Sequence, residues 1–218
     1  MTELPLEQLI DALAGDARAV RPLAPPPRRA MTLLAGIALL GGLAVYALSD
    51  VQQLLARYTG REVALVIEMA AMLATGVLAV TGAFFVSIPG RSKRWLAAPV
   101  PPFLLWLLLS GVGCYGDLVR SGPAGWELGE SLHCLSFIIA TSVILAVPLV
   151  WRLSRAKPVD PLPVATLGGL GAAALSAFLL QFFHPFTVTF IDLAVHFAAI
   201  LLVVGVVSLL GRRTLAAA

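Results

Sequence analysis

The sequence predicts an all-α, polytopic membrane protein: a bundle of six transmembrane helices with both termini in the cytoplasm. Of its 218 residues, 59% are hydrophobic and 12% are charged, whereas a typical soluble domain has about 25% charged residues. The apolar residues form six long blocks, which predict the six spans. Twelve of the fifteen basic residues fall on one side of those spans, and this imbalance predicts the orientation.

The six apolar blocks follow one another with short polar connections. They run over about 31–49, 63–88, 95–115, 132–151, 162–183 and 187–210. Each is close to or longer than the roughly 20 residues with which a helix crosses a bilayer. We therefore predict a cytoplasmic leader with a proline-rich linker over 1–30, a transmembrane domain over 31–211 and a short cytoplasmic tail over 212–218. No apolar stretch precedes residue 31, so we expect no cleaved signal peptide.

Prolines and small residues inside the blocks indicate how the spans are shaped and packed. Pro99, Pro101 and Pro102 in the third block and Pro148 in the fourth predict kinks rather than breaks, because neighbouring helices can satisfy the carbonyl that a proline frees. Small residues repeat at a spacing of four over 168–173. That pattern favours close helix packing.

The distribution of lysine and arginine predicts which way the helices point. The N-terminal segment, the second and fourth connections and the C-terminus carry four, three, three and two basic residues. The opposite side carries only Arg57, Arg61 and Arg120. The positive-inside rule then places both termini in the cytoplasm, as expected for a bacterial inner-membrane protein. The net charge of +3 fits this orientation signal, and we expect no direct contact with nucleic acid.

The amphipathic pattern in the leader predicts a partner-binding helix. Leu6, Leu9, Ile10 and Leu13 are spaced to share one helical face, and Gly15 suits the end of that helix. The opposite face is acidic, whereas helices that lie on membranes favour lysine and arginine there. We therefore favour a protein partner over a membrane-surface helix or a solvated segment.

The cysteines and histidines all belong to the predicted outer half of the bundle. They are Cys114, His133, Cys134, His184 and His196, and Asp192 lies one helical turn before His196. The two cysteines could form a disulfide in an oxidising compartment, worth about 3 kcal/mol for a loop of this length. Thiolates and the His133 imidazole could instead bind a soft metal ion transiently. They could also be plain packing residues. We expect redox or metal sensing here and no permanent cofactor.

Acidic and basic groups within the spans leave two other functions open. Glu68, Asp192 and His196 could line the path of a small-solute or ion transporter, because ionisable groups inside spans are costly and often functional. We expect Glu68 to have a structural partner, with Arg57 or Arg61 within reach. A membrane thiol oxidoreductase is the other alternative, although one widely separated cysteine pair without CxxC suits it poorly. We expect no catalytic residues.

Three stretches resemble one protein family. "SIPGRSKRWLAAPVPPFLLWLLLSGVGC" (87–114), "GPAGWELGESLHCLSF" (122–137) and "FFHPFTVTFIDLAVHF" (182–197) are similar to the NrsF-type membrane proteins, which are negative regulators of an extracytoplasmic-function sigma factor. The leader "LIDALAGDARAVRPLAPP" also resembles that family. The similarity extends over nearly the whole chain and keeps the family's order of segments.

The resemblance implies six spans and anti-sigma activity. It further implies that the sigma factor is sequestered at the membrane and released under heavy-metal or oxidative stress, sensed through outer cysteines. Cys134 matches the family cysteine ahead of the fourth span. The family often has a second cysteine near the last outer turn, where this chain has His184 instead, and Cys114 is its other thiol.

Overall fold

The structure, a computed structural model, describes residues 5–16, 22–50, 52, 63–121, 128–183 and 190–217. All regular secondary structure in these ranges is helical, which confirms the predicted fold class. The helices are α1 (Leu6–Gly15), α2 (Pro26–Leu48), α3 (Val63–Val86), a single 3₁₀ turn (Lys93–Leu96), α4 (Val100–Ser121), α5 (Leu128–Ser154), α6 (Pro161–Leu180) and α7 (Phe190–Ala217). The six helices from α2 to α7 are long and apolar enough to cross a membrane.

Prolines lie in the first turns of α2 and α4. Pro26 is the first residue of α2, so the helix starts five residues earlier than predicted. Pro101 and Pro102 lie in the first turn of α4 and not in the interior of the span. A proline is tolerated at these positions because the first amide groups of a helix have no acceptor within it. Pro148 does lie inside α5, as predicted.

Helix α6 is the centre of the bundle. Thirteen of its 20 residues are buried, and it packs against α3, α5 and α7. Its glycines permit the close approach: a Cβ atom at Gly171 would lie 2.7 Å from Val80 Cγ2 of α3, and one at Gly169 would lie 3.0 Å from Val204 Cα of α7. The small-residue pattern over 168–173 therefore marks close packing of α6 against its neighbours.

The outer helices are held less extensively. α4 packs mainly against α3 and α7, and α2 mainly against α3. In α2 the buried residues are confined to its first eight positions, namely Pro26, Arg29, Ala30 and Leu33. α1 has no buried residue at all.

The bundle has two chemically different ends. At the proximal end, which we define by the start of α2, Ala30 and Leu33 pack in one cluster with Leu149 and Leu153 of α5 and Leu215 of α7. The basic residues of this end are Arg28, Arg29, Arg91, Lys93, Arg94, Arg152, Arg155, Lys157, Arg212 and Arg213. At the opposite, distal end, a second cluster joins the first turns of α5 to the end of α6 and to α7.

Candidate functional site

The apolar face of α1 is uncovered. Leu6, Leu9, Ile10 and Leu13 are all exposed, Leu9 to 43% and Leu13 to 65%. The helix has ten residues and no side-chain hydrogen bond at its N-terminal cap, and isolated helices of this length are marginal in water. A partner that covered these four side chains would both bury them and stabilise the helix.

Both cysteine side chains are buried at the distal end. Cys114 on α4 is 2% exposed and Cys134 on α5 is 4% exposed. Cys134 packs with Ile138, Leu180 and Ala199, so this thiol touches the end of α6 and a turn of α7.

His133 points away from its neighbour Cys134. Successive side chains on an α-helix are rotated by about 100°, and here the thiol is buried while the imidazole is exposed. The carbonyl of His133 accepts a hydrogen bond of 2.8 Å from Ser136 Oγ. In the described part of the chain, no three His, Cys, Asp or Glu side chains come close enough to form a metal site. The predicted ligand His184 lies outside the described residues.

A small cavity, lined mainly by apolar side chains with a few polar ones, lies between α3, α4, α6 and α7. Ser110 Oγ donates a hydrogen bond to Glu68 Oε1, and Glu68, Gln181 and His196 all line the cavity. Gln181 Nε2 also lies 3.9 Å from the sulfur of Met72. The cavity volume is about 30 Å³, enough for one or two water molecules. Pockets that bind small solutes have volumes of roughly 300–1,000 Å³.

The residues around Glu68 are only partly those expected from the sequence. Glu68 has Ser110 as its hydrogen-bond donor, whereas the expected partners Arg57 and Arg61 lie outside the described residues. Asp192 is buried and His196 is half-buried one turn later on α7, as their spacing predicts. Ser110 and Gln181 were not predicted to lie beside Glu68, although a single serine in an apolar block can indicate a polar contact within the bundle.

A cluster of arginines at the proximal end was also missed. Arg29 of α2 donates a hydrogen bond from Nη2 to the carbonyl of Arg152, and its guanidinium lies 5.0 Å from the ring centroid of Phe84. Arg152 Nη1 in turn donates to Thr32 Oγ1 at 2.8 Å. These bonds tie the start of α2 to the last turn of α5.

Helix α5 joins the two ends of the bundle. Cys134 near its start and Arg152 near its end are eighteen residues apart, or about 27 Å along a helix. The first turns of α5 therefore pack in the cluster at the distal end. The last turn of the same helix is hydrogen-bonded to the start of α2, which follows the leader.

Comparison with known proteins gives one family. A protein-family model described as "NrsF: Negative regulator of sigma F" matches residues 13–216, which is nearly the whole chain. No curated protein matches the chain, and no solved structure does. The match includes every long helix of the bundle and begins within α1.

Proposed function

Since this chain belongs to the NrsF family of negative regulators of sigma F, we propose that it is an inner-membrane anti-sigma factor with an extracytoplasmic-function sigma factor as its partner. It holds the sigma factor through the apolar face of α1 and releases it when a metal or oxidative signal reaches the distal end. It acts as a regulator and not as an enzyme.

The uncovered face of α1 is the observation that carries this proposal. Four large apolar side chains share one face and have no cover within the described residues, and an amphipathic helix of this kind commonly docks into a groove on a protein. The family match begins at residue 13, so Leu6, Leu9 and Ile10 precede it. Their assignment as contacts therefore depends on exposure and pattern.

The charge distribution supports the orientation that an anti-sigma factor needs. The basic residues at the proximal end include all those predicted to be cytoplasmic within the described residues, and such residues are retained in the cytoplasm during insertion. The leader and α1 are then on the side where a sigma factor is found. The distal end, which contains the thiols and imidazoles, is then on the envelope side.

The proposed signal acts on Cys114, Cys134, His133, His184, Asp192 and His196. Because both thiols are buried, the signal must be small, such as a soft metal ion or a peroxide, or must reach them when the distal end opens locally. A modified or metal-bound Cys134 no longer fits against Leu180 and Ala199, and α5 moves. Release requires that the signal favour one of two helix arrangements over the other.

The transport alternative has less support from the geometry. Glu68 and His196 do share a cavity, but its volume suits water and not a solute. Proteoliposomes that contain the purified protein should show no flux of ions or small solutes above that of empty vesicles. Purified protein should likewise reduce no quinone, since quinone reduction would support a thiol oxidoreductase.

Co-purification tests the proposed contact. The full-length protein, extracted in detergent, should retain its sigma factor, and a Leu9→Asp/Leu13→Asp variant should lose it. Gln8→Ala, on the polar side of the same helix, is the matched control and should retain the sigma factor. Retention by the double variant would exclude α1 as the contact. Reporter fusions that place the C-terminus outside the cell would overturn the orientation.

A further inference from the structure

One corner of the proximal end concentrates positive charge. Arg29 is 9% exposed, and Arg152 and Arg155 lie near enough to repel it electrostatically. The carbonyl that Arg29 holds belongs to the last turn of α5, and cations are favourable at the C-terminal end of a helix. That hydrogen bond stabilises the buried guanidinium of Arg29, but it does not compensate the positive charges of Arg152 and Arg155.

Among the residues that the structure describes, the groups that contact these arginines are neutral. Arg29 touches a carbonyl and the Phe84 ring, and within the described residues its Nη1 has no acceptor. Arg152 donates to the Thr32 hydroxyl, and the guanidinium of Arg155 lies 5.7 Å from the ring centroid of Trp151. Three like charges that share a corner with only neutral partners make it a strong site for an anion.

The surface below this corner is apolar. Trp151, Val147 and Ile144 are exposed on α5, and their spacing puts them on one helical face that Arg155 continues at the next turn. Met31 of α2, two residues after Arg29, is exposed as well. The corner therefore combines a basic top with an apolar column that runs toward the middle of the span.

We propose that this corner binds an anionic phospholipid such as phosphatidylglycerol. Arg152 and Arg155 contact the phosphate, Arg29 adds its charge from beneath, and an acyl chain lies along the column of Trp151, Val147 and Ile144. Basic pockets between spans at the cytoplasmic side are known to suit lipid headgroups. Inorganic phosphate offers the same headgroup chemistry but makes no use of the apolar column. The inference needs only that the bundle spans a membrane and is independent of sigma-factor binding.

Native mass spectrometry of the full-length protein in detergent tests this site. The protein is titrated with phosphatidylglycerol, with phosphatidylcholine and with inorganic phosphate. One basic residue at an anionic lipid surface is worth about fivefold in affinity, so Arg152→Gln/Arg155→Gln should weaken phosphatidylglycerol binding by roughly 25-fold. Arg91→Gln/Arg94→Gln removes two exposed basic residues from the same end. This control should change the affinity less than threefold.

Several outcomes would overturn the inference. Equal loss in both double variants would mean that only the general surface charge attracts lipid. Equal affinity for phosphatidylcholine would remove the role of charge, and equal affinity for inorganic phosphate would remove the role of the apolar column. If the Arg152 variant fails to fold, Arg155→Gln alone is used. Its guanidinium packs only on Trp151 in the contacts described, and it should still lose about fivefold.

Discussion

Replacing Leu9 and Leu13 with alanine gives a quantitative test of the α1 contact. These side chains are 43% and 65% exposed, so these fractions are available for burial by a partner. Burying a whole leucine side chain contributes about 2 kcal/mol, and the two exposed fractions together then contribute about 2 kcal/mol. Loss of that contribution raises Kd by roughly 30-fold.

The substitution isolates the contact from the stability of the helix. Alanine has a helix propensity at least as high as that of leucine, so α1 does not become less helical. The corresponding double aspartate substitution adds the cost of burying carboxylates, and we expect it to bring binding below detection. Gln8→Ala alters the polar side of the same helix and should leave Kd within about twofold, as typical of surface substitutions.

The assay is a titration of the labelled sigma factor with the full-length protein in lipid nanodiscs, followed by fluorescence anisotropy. Circular dichroism of each variant checks that the helix content is unchanged. A rise in Kd of less than threefold for the double alanine variant, with helix content intact, would refute the reasoning, because the two side chains would then stay exposed in the complex.

Three further predictions concern the bundle. Gly171→Ala places a Cβ atom too close to α3, whereas Gly36→Ala meets no atom within 4 Å. Because both changes raise helix propensity equally, the free energy of unfolding of Gly171→Ala should be about 1–3 kcal/mol lower than that of Gly36→Ala. Equal stability of the two variants in detergent would contradict the packing. Cys114→Ser and Cys134→Ser should each hold sigma-dependent transcription in one state when cadmium or peroxide is added; normal induction of a reporter in both variants would exclude a thiol role. Glu68→Leu removes the acceptor of the buried Ser110 hydroxyl and should lower the free energy of unfolding by about 1–3 kcal/mol, whereas Glu68→Gln should lower it by less than about 1 kcal/mol. Equal free energies of unfolding for the two variants would show that the hydrogen bond does not contribute to stability.

The spans could be predicted because each depends on a local property. A block of about 20 apolar residues must become a helix in a bilayer, whatever it packs against, so all six were found. The repeated small residues over 168–173 likewise indicated the tight packing of α6, because close approach requires small side chains. The helix ends were less predictable, since a proline such as Pro26 or Pro101 suits both the first turn of a helix and a linker or a distortion.

Contacts between distant segments could not be predicted in the same way. Arg29 and Arg152 are separated by 123 positions, and each alone indicates only orientation. Glu68 and Ser110 likewise lie on different helices, and the sequence does not show which faces meet. The exposed face of α1 was predictable because its four side chains belong to one short helix.

The attachment of α2 has a consequence for how the proposed membrane-spanning bundle would respond to a bilayer. Its 23 residues give a length of about 34 Å, a little more than the roughly 30 Å of a typical hydrocarbon core. Since only the first turns of α2 are buried, its far half can lean to absorb this hydrophobic mismatch while α3, α6 and α7 remain packed. Lipids with longer chains should therefore straighten the far half of α2 first, while the leader, which joins the buried end of this helix, keeps its place.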